Sequence, residues 1–167
     1  MAYTLAELNQ MSQAEFVTAL GAVFEDTPAI AQTTWQQRPF TDLTDLHRRM
    51  VAVVQAMTEV DQLALICAHP DLGSKAKMAD ASVQEQAGVG LDRLSPEEFD
   101  RFHALNQQYR DTFGFPFIIA VKGHTKASIL AAFEQRLTHD RATEHQQALT
   151  EIAQIARFRL EDLLSSC

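Results

Sequence analysis

Apolar residues recur along this chain at intervals of three and four, and that period predicts helices almost from end to end. Ser12-Gln13-Ala14-Glu15 reads as a capping box, with the Ser hydroxyl on the helix amides and the Glu reaching back to the cap. Phe16, Leu20, Val23 and Phe24 follow as one stripe that runs past Gly21. Thr27-Pro28 predicts a cap followed by Pro at the first helical position, opening a short helix through Trp35. Pro39 separates this from a helix over about 41–57, with Leu43, Leu46, Met50 and Val54 on one face. A further short helix carries Val60, Leu63, Ala64 and Cys67 and delivers the chain to His69.

Ser95-Pro96-Glu97-Glu98 is a strong helix start, because acidic side chains in a first turn complement the helix dipole. Phe99, Phe102, Leu105, Tyr109 and Phe113 continue it, and Gly114 is placed as its C-terminal stop. The period then breaks at Phe115-Pro116-Phe117-Ile118-Ile119-Ala120-Val121, a continuous apolar run. A buried strand would need a partner run, and no second run of this quality exists. An extended segment buried among helices fits better. Thr125 caps a helix through about Leu137, and a long helix follows from about Arg141 to Leu164. The expected class is all-α: a single-domain helical bundle over 1–167 with one buried extended segment near 115–122.

Composition narrows the function classes. The chain has 167 residues, enough to bury one good core and too few for two ordinary domains. A net charge of −8 argues against a nucleic-acid or anionic-membrane surface, which needs clustered Lys and Arg. Two cysteines, Cys67 and Cys167, make no disulfide framework. The sequence shows no basic n-region, no apolar run of membrane-spanning length and no C-terminal address, so the expected location is cytoplasmic.

The chemistry concentrates between His69 and Gln86. His69-Pro70-Asp71-Leu72-Gly73 places an imidazole at a helix end, since a residue before Pro is steered out of the helical region. There it either caps carbonyls or moves protons near neutral pH. Ser82-Val83-Gln84-Glu85 matches a second capping box, which would occupy Glu85 structurally. Alternatively, the helix start with Glu85 and Gln86 forms a rigid platform for a polar ligand. The Phe117–Val121 run is either plain core or backbone whose unmet amides and carbonyls take a ligand. Near the end, Arg159 and Arg157 flank the apolar face of Leu149, Ile152, Ala156 and Leu160. Either snorkels to solvent or aims its planar fork at a carboxylate. His69, Asp71 and Glu85 lack the spacing of known metal motifs, so no metal is expected.

Taken in order, His69-Pro70-Asp71-Leu72-Gly73, Ser82-x-x-Glu85-Gln86-x-Gly88, Asn106-x-x-Tyr109, Phe113-Gly114-Phe115-Pro116-Phe117-Ile118, Ile129-Leu130 and Arg136-Leu137 resemble one family. It is the 2-oxo-4-hydroxy-4-carboxy-5-ureidoimidazoline (OHCU) decarboxylases, which complete the conversion of urate to (S)-allantoin. The resemblance runs to Arg159-Leu160; Thr138-His139 departs from it, where the family commonly has an Asn. It implies an all-helical fold, a homodimer, a small ureidoimidazoline substrate, and no cofactor. It also implies catalytic roles for His69, Glu85 and Arg159. Pro70, Ser82, Val83, Gln84, Glu85 and Gln86, with Phe117, Ile118, Ile119, Ala120 and Val121, would bind substrate. The competing reading is a helical module that binds urea-like heterocycles or protein partners without catalysis.

Overall fold

The computed structural model describes residues 2–73 and 80–164, with side chains from Ser82 onward in the second stretch. Among these residues there are nine helices and no paired strand, only an isolated bridge between Tyr3 and Leu164. The all-α expectation is met. The chain packs as two compact units, residues 1–65 with 153–167, and residues 66–152.

The first unit holds α1 (Leu5–Gln10), α2 (Gln13–Leu20), α3 (Ala29–Trp35) and α4 (Leu43–Ala56). It also takes the start of α5 (Glu59–Cys67) and the end of α9 (Arg141–Leu163). Ser12 caps α2 through the reciprocal box with Glu15, as predicted, and α1 opens on a second such box, Thr4 with Glu7. The Thr4-x-x-Glu7 spacing was equally readable, but α1 is too short for its period to stand out.

Two boundaries differ from expectation. Gly21 ends α2 rather than being passed over; Val23 and Phe24 are buried from a bend beyond the helix. Pro28, not Thr27, takes the cap position of α3, and the Thr27 hydroxyl donates instead to the Glu25 carbonyl at 2.8 Å. α2 packs on α3 and α3 on α4. Between α3 and α4 the Arg38–Pro39 peptide is cis, and Asn9 clasps both backbone groups of Phe40 at 2.8 and 3.0 Å.

The second unit comprises the end of α5, α6 (Asp80–Gly88), α7 (Pro96–Phe113), α8 (Lys126–Arg136) and the first half of α9. α7 starts at the Ser95–Glu98 box and ends on Gly114 in the left-handed region, at φ 82°, as the sequence predicts. Residues 115–121 then run extended and wholly buried. Phe117 stacks on Phe133 of α8 with centroids 3.7 Å apart, and Tyr109 meets Phe113, Phe115 and Phe117.

A polar cluster lies inside this aromatic core. Glu144 of α9 is fully buried, and its Oε1 accepts from the Tyr109 hydroxyl at 2.5 Å and from Arg136 Nε at 2.8 Å. Its Oε2 is 2.9 Å from His139 Nδ1. Burial pushes the Tyr109 hydroxyl well above its ordinary range, and the Glu144 acceptor adds to the effect.

Removing one partner from a buried ion pair leaves the other charge uncompensated, at a cost of about 3–5 kcal/mol. Glu144→Ala is therefore expected to lose stability on that scale in chemical denaturation. Tyr109→Phe, which strands one acceptor site, should lose about 1–3 kcal/mol. In the first unit, Asp45 is held near pKa about 2 by the Thr41 amide first and then by Arg49 and Arg48. Its folded pKa lies below the unfolded value near ~4, so its stabilisation is present above that pH and fades as pH falls toward 2. Acid titration of Asp45→Asn should show a shallower loss of stability across that window than the parent.

Candidate active site

α5 ends at Cys67, and His69 closes the turn beyond it, its amide donating to the Ile66 carbonyl at 3.2 Å. The side chain is buried. After Pro70 the loop is gripped residue by residue. Arg110 Nε of α7 holds the Asp71 carboxylate at 2.9 Å, and Asn106 Nδ2, one turn earlier, donates to the Leu72 carbonyl at 2.9 Å. Gln86 of α6 accepts from the Gly73 amide at 3.0 Å. Gly73 has φ +68°, and a Cβ there would sit 2.7 Å from Leu94 Cδ1. The φ calls for glycine, because L residues rarely adopt it, whereas the Leu94 methyl ends a flexible side chain that can move aside. The chain between Gly73 and Asp80 lies outside the described residues.

Ser82 is not a helix cap. Asp80 and Ala81 precede it within α6, so the predicted box gives way to a helix interior. The spacing now has a different meaning. Ser82, Glu85 and Gln86 share one face at i, i+3 and i+4; Ser82 and Gln86 are buried and Glu85 half-buried. Val83 and Gln84 point the other way, and Val83 is 49% exposed. Of the five consecutive residues expected to bind substrate, the helix gathers three onto one surface and leaves these two exposed.

The 117–121 segment is buried, and its backbone is only partly satisfied. Arg136 Nη1 holds the Ile118 carbonyl at 2.6 Å, Glu151 Oε1 accepts from the Ala120 amide at 3.3 Å, and His124 donates to the Val121 carbonyl at 2.9 Å. Among the described residues no hydrogen bond reaches the amide or carbonyl of Ile119. Buried main-chain groups without partners are rare, and they are natural anchors for a ligand.

Arg159 belongs to the first unit. It does not snorkel: it is buried, and its Nη1 lies 3.0 Å from Glu25 Oε2, 3.2 Å from the Ala22 carbonyl and 3.4 Å from that of Val23. Arg157 takes the surface role, paired with Glu161 at 2.9 Å and donating to Thr44 at 3.0 Å. Glu25 was not anticipated, because an acidic residue in a bend carries no periodic signal. Among the described residues no group of three His, Cys, Asp or Glu side chains is arranged for a metal ion.

Among the described residues the fold and site define a class, an all-helical protein with a buried His on an anchored loop. The structure aligns with the crystal structure of an (S)-allantoin synthase at TM-score 0.77 and 30% identity, over 97% of this chain and 54% of that one. A family model described as OHCU decarboxylase matches residues 9–161. An OHCU decarboxylase from Halalkalicoccus jeotgali is 46% identical over 96% of this chain and 91% of its own length. The uric acid degradation bifunctional protein PucL of Bacillus subtilis is 48% identical over 98% of this chain, which spans 33% of that protein. The chain belongs to the OHCU decarboxylase family, and it is a carboxy-lyase.

Gly73→Ala tests the loop geometry. The left-handed φ costs roughly 1 kcal/mol or more in an L residue, while the Leu94 methyl can rotate away. The expected outcome is a lower melting temperature together with lost activity, read by thermal unfolding and turnover.

Proposed function

We propose that His69, Glu85 and Arg159 carry out the decarboxylation of OHCU to (S)-allantoin and carbon dioxide, the last step from urate to allantoin. The observation that carries the assignment is the buried His69 on a loop anchored at Asp71, Leu72 and Gly73. A buried imidazole on an anchored loop suits acid/base work, which depends on fixed geometry.

The chemistry fits these groups. In the substrate the carboxylate and a hydroxyl share a carbon next to a C=N unit. When the carbon–carboxylate bond breaks, its electron pair moves into the ring and the C=N nitrogen takes a proton. The product of that step is an enol. His69 takes the enol hydroxyl proton as the neighbouring carbon is protonated on one face, giving the carbonyl and the S centre of allantoin. The ring is its own electron sink, so the reading needs no pyridoxal or thiamine. Glu85 fixes the His69 tautomer or takes ring and ureido N–H groups. Gln86 and the backbone around Ile119 read the urea-like edges, with Pro70 and Ser82 completing the binding group, and Arg159 meets the carboxylate; Val83 and Gln84, on the exposed face of α6, drop out of it. Residues 1–167 act as one catalytic domain, in a cytoplasmic homodimer; light scattering in solution checks the dimer.

OHCU generated in situ from urate supplies the assay. Expected is rapid appearance of (S)-allantoin by circular dichroism; racemic product at the spontaneous rate would overturn the reading in favour of a non-catalytic binder. His69→Ala and Glu85→Ala should each lose about 10²–10⁴-fold in turnover while staying folded. Arg159→Ala should raise KM, with Arg157→Ala milder. The reverse order would transfer the role to Arg157.

A further inference from the structure

Asn106 is absorbed by neither the core nor the roles assigned above. It lies on α7 among Phe102, Leu105 and Tyr109, and is only 4% exposed. Its Nδ2 makes the bond to the Leu72 carbonyl, while its Oδ1 is buried with no hydrogen-bond partner among the described residues. A buried amide with half its capacity unmet costs free energy, whereas a Leu of the same branched shape would carry no such polar penalty. What the amide contributes, and Leu would not, is the bond to Leu72.

That bond has an unusual place. After the His69 amide bonds to Ile66, the backbone up to Gly73 makes no further main-chain bond among the described residues. Its backbone anchors are two side chains, Asn106 on the Leu72 carbonyl and Gln86 on the Gly73 amide. Arg110 also reaches the loop, but its pair with the half-buried Asp71 is open to solvent on the Arg side, and screened pairs contribute little. Gln86 belongs to the proposed binding group, so a change there would disturb substrate contacts too. Asn106 hydrogen-bonds the loop alone.

We propose that Asn106 is a positioning residue for this decarboxylase: its amide holds the Leu72 carbonyl and so sets the turn that presents His69. The inference rests on the reading of His69 as the acid/base group. Displacing a reacting group by about 1 Å can cost on the order of 10²-fold in rate.

Three variants test it, His69→Asn, Asn106→Leu and Asn106→Asp, each checked for folding by thermal melt. In Asn106→Leu, kcat is expected to fall by roughly 10- to 10²-fold with KM little changed. The His69 Cε1–H resonance, assigned by its loss in His69→Asn, should shift in Asn106→Leu. In Asn106→Asp, only the protonated carboxyl can donate to Leu72. Its kcat relative to the parent should therefore climb as pH is lowered, while a packing defect gives a ratio flat in pH. This second variant keeps the test decisive if Asn106→Leu fails to fold. Parent-like kcat in folded Asn106→Leu, or a pH-flat ratio in Asn106→Asp, overturns the inference. Where His69→Asn is inactive, such a result removes the positioning role alone. Full turnover in His69→Asn would remove the reading beneath it as well.

Discussion

A single buried carboxylate organises the second unit. Glu144 has no exposed surface, and its two oxygens take hydrogen bonds from Tyr109 of α7, Arg136 of α8 and His139 beyond it. An isolated charge in such a core would be prohibitive, so the arrangement stands only with its partners in place. Arg136 passes the constraint on: its Nη1 fixes the Ile118 carbonyl, and its guanidinium lies 4.3 Å from the centre of the Phe117 ring. The extended segment gains from Glu144, through one arginine, a backbone anchor that a sheet would otherwise supply.

α7 connects this cluster to the His69 loop. Asn106 and Arg110, one turn apart, hold Leu72 and Asp71, while Tyr109 between them reaches Glu144. One helix therefore positions both segments proposed to meet substrate. Its own rigidity follows from the Ser95 box, Pro96 and the Gly114 stop, together with Phe102, Leu105 and Phe113 packed along its buried side. Local capping, core packing and loop placement are linked along eighteen residues.

How much of this was legible in the sequence depends on the range of the interaction. The helices over 43–56, 96–113 and 126–136 declare themselves because caps and periodicity are local, and the buried run at 115–121 is conspicuous against a helical background. Ser82 misled because S-x-x-E is equally a cap and an interior i, i+3 pair; only the helix boundary distinguishes them. The stripe through Gly21 misled by four residues, since α2 ends at Leu20 and not at Phe24, and Thr27 misled by one. His69, Asn106 and Tyr109 were visible as motif members. The pairings of Asn106 with Leu72 and of Tyr109 with Glu144 were not, since contacts between distant residues leave no period. Glu25, bonded to Arg159 from the far end of the chain, is the clearest case.

The Glu25 pairing changes what Arg159 can offer. An arginine buried alone would attract an anion strongly, but it would also be costly and poorly oriented. Paired with Glu25 and two carbonyls, its fork is held in one direction and its charge is largely neutralised. On a chain of net charge −8, such a group would meet the carboxylate of the proposed substrate by short-range geometry more than by long-range attraction. That suits the proposed reaction. The carboxylate loses its charge as carbon dioxide forms, so a bare ion pair would stabilise the ground state more than the transition state and slow the step. A guanidinium already shared with Glu25 can orient the leaving group without holding it back.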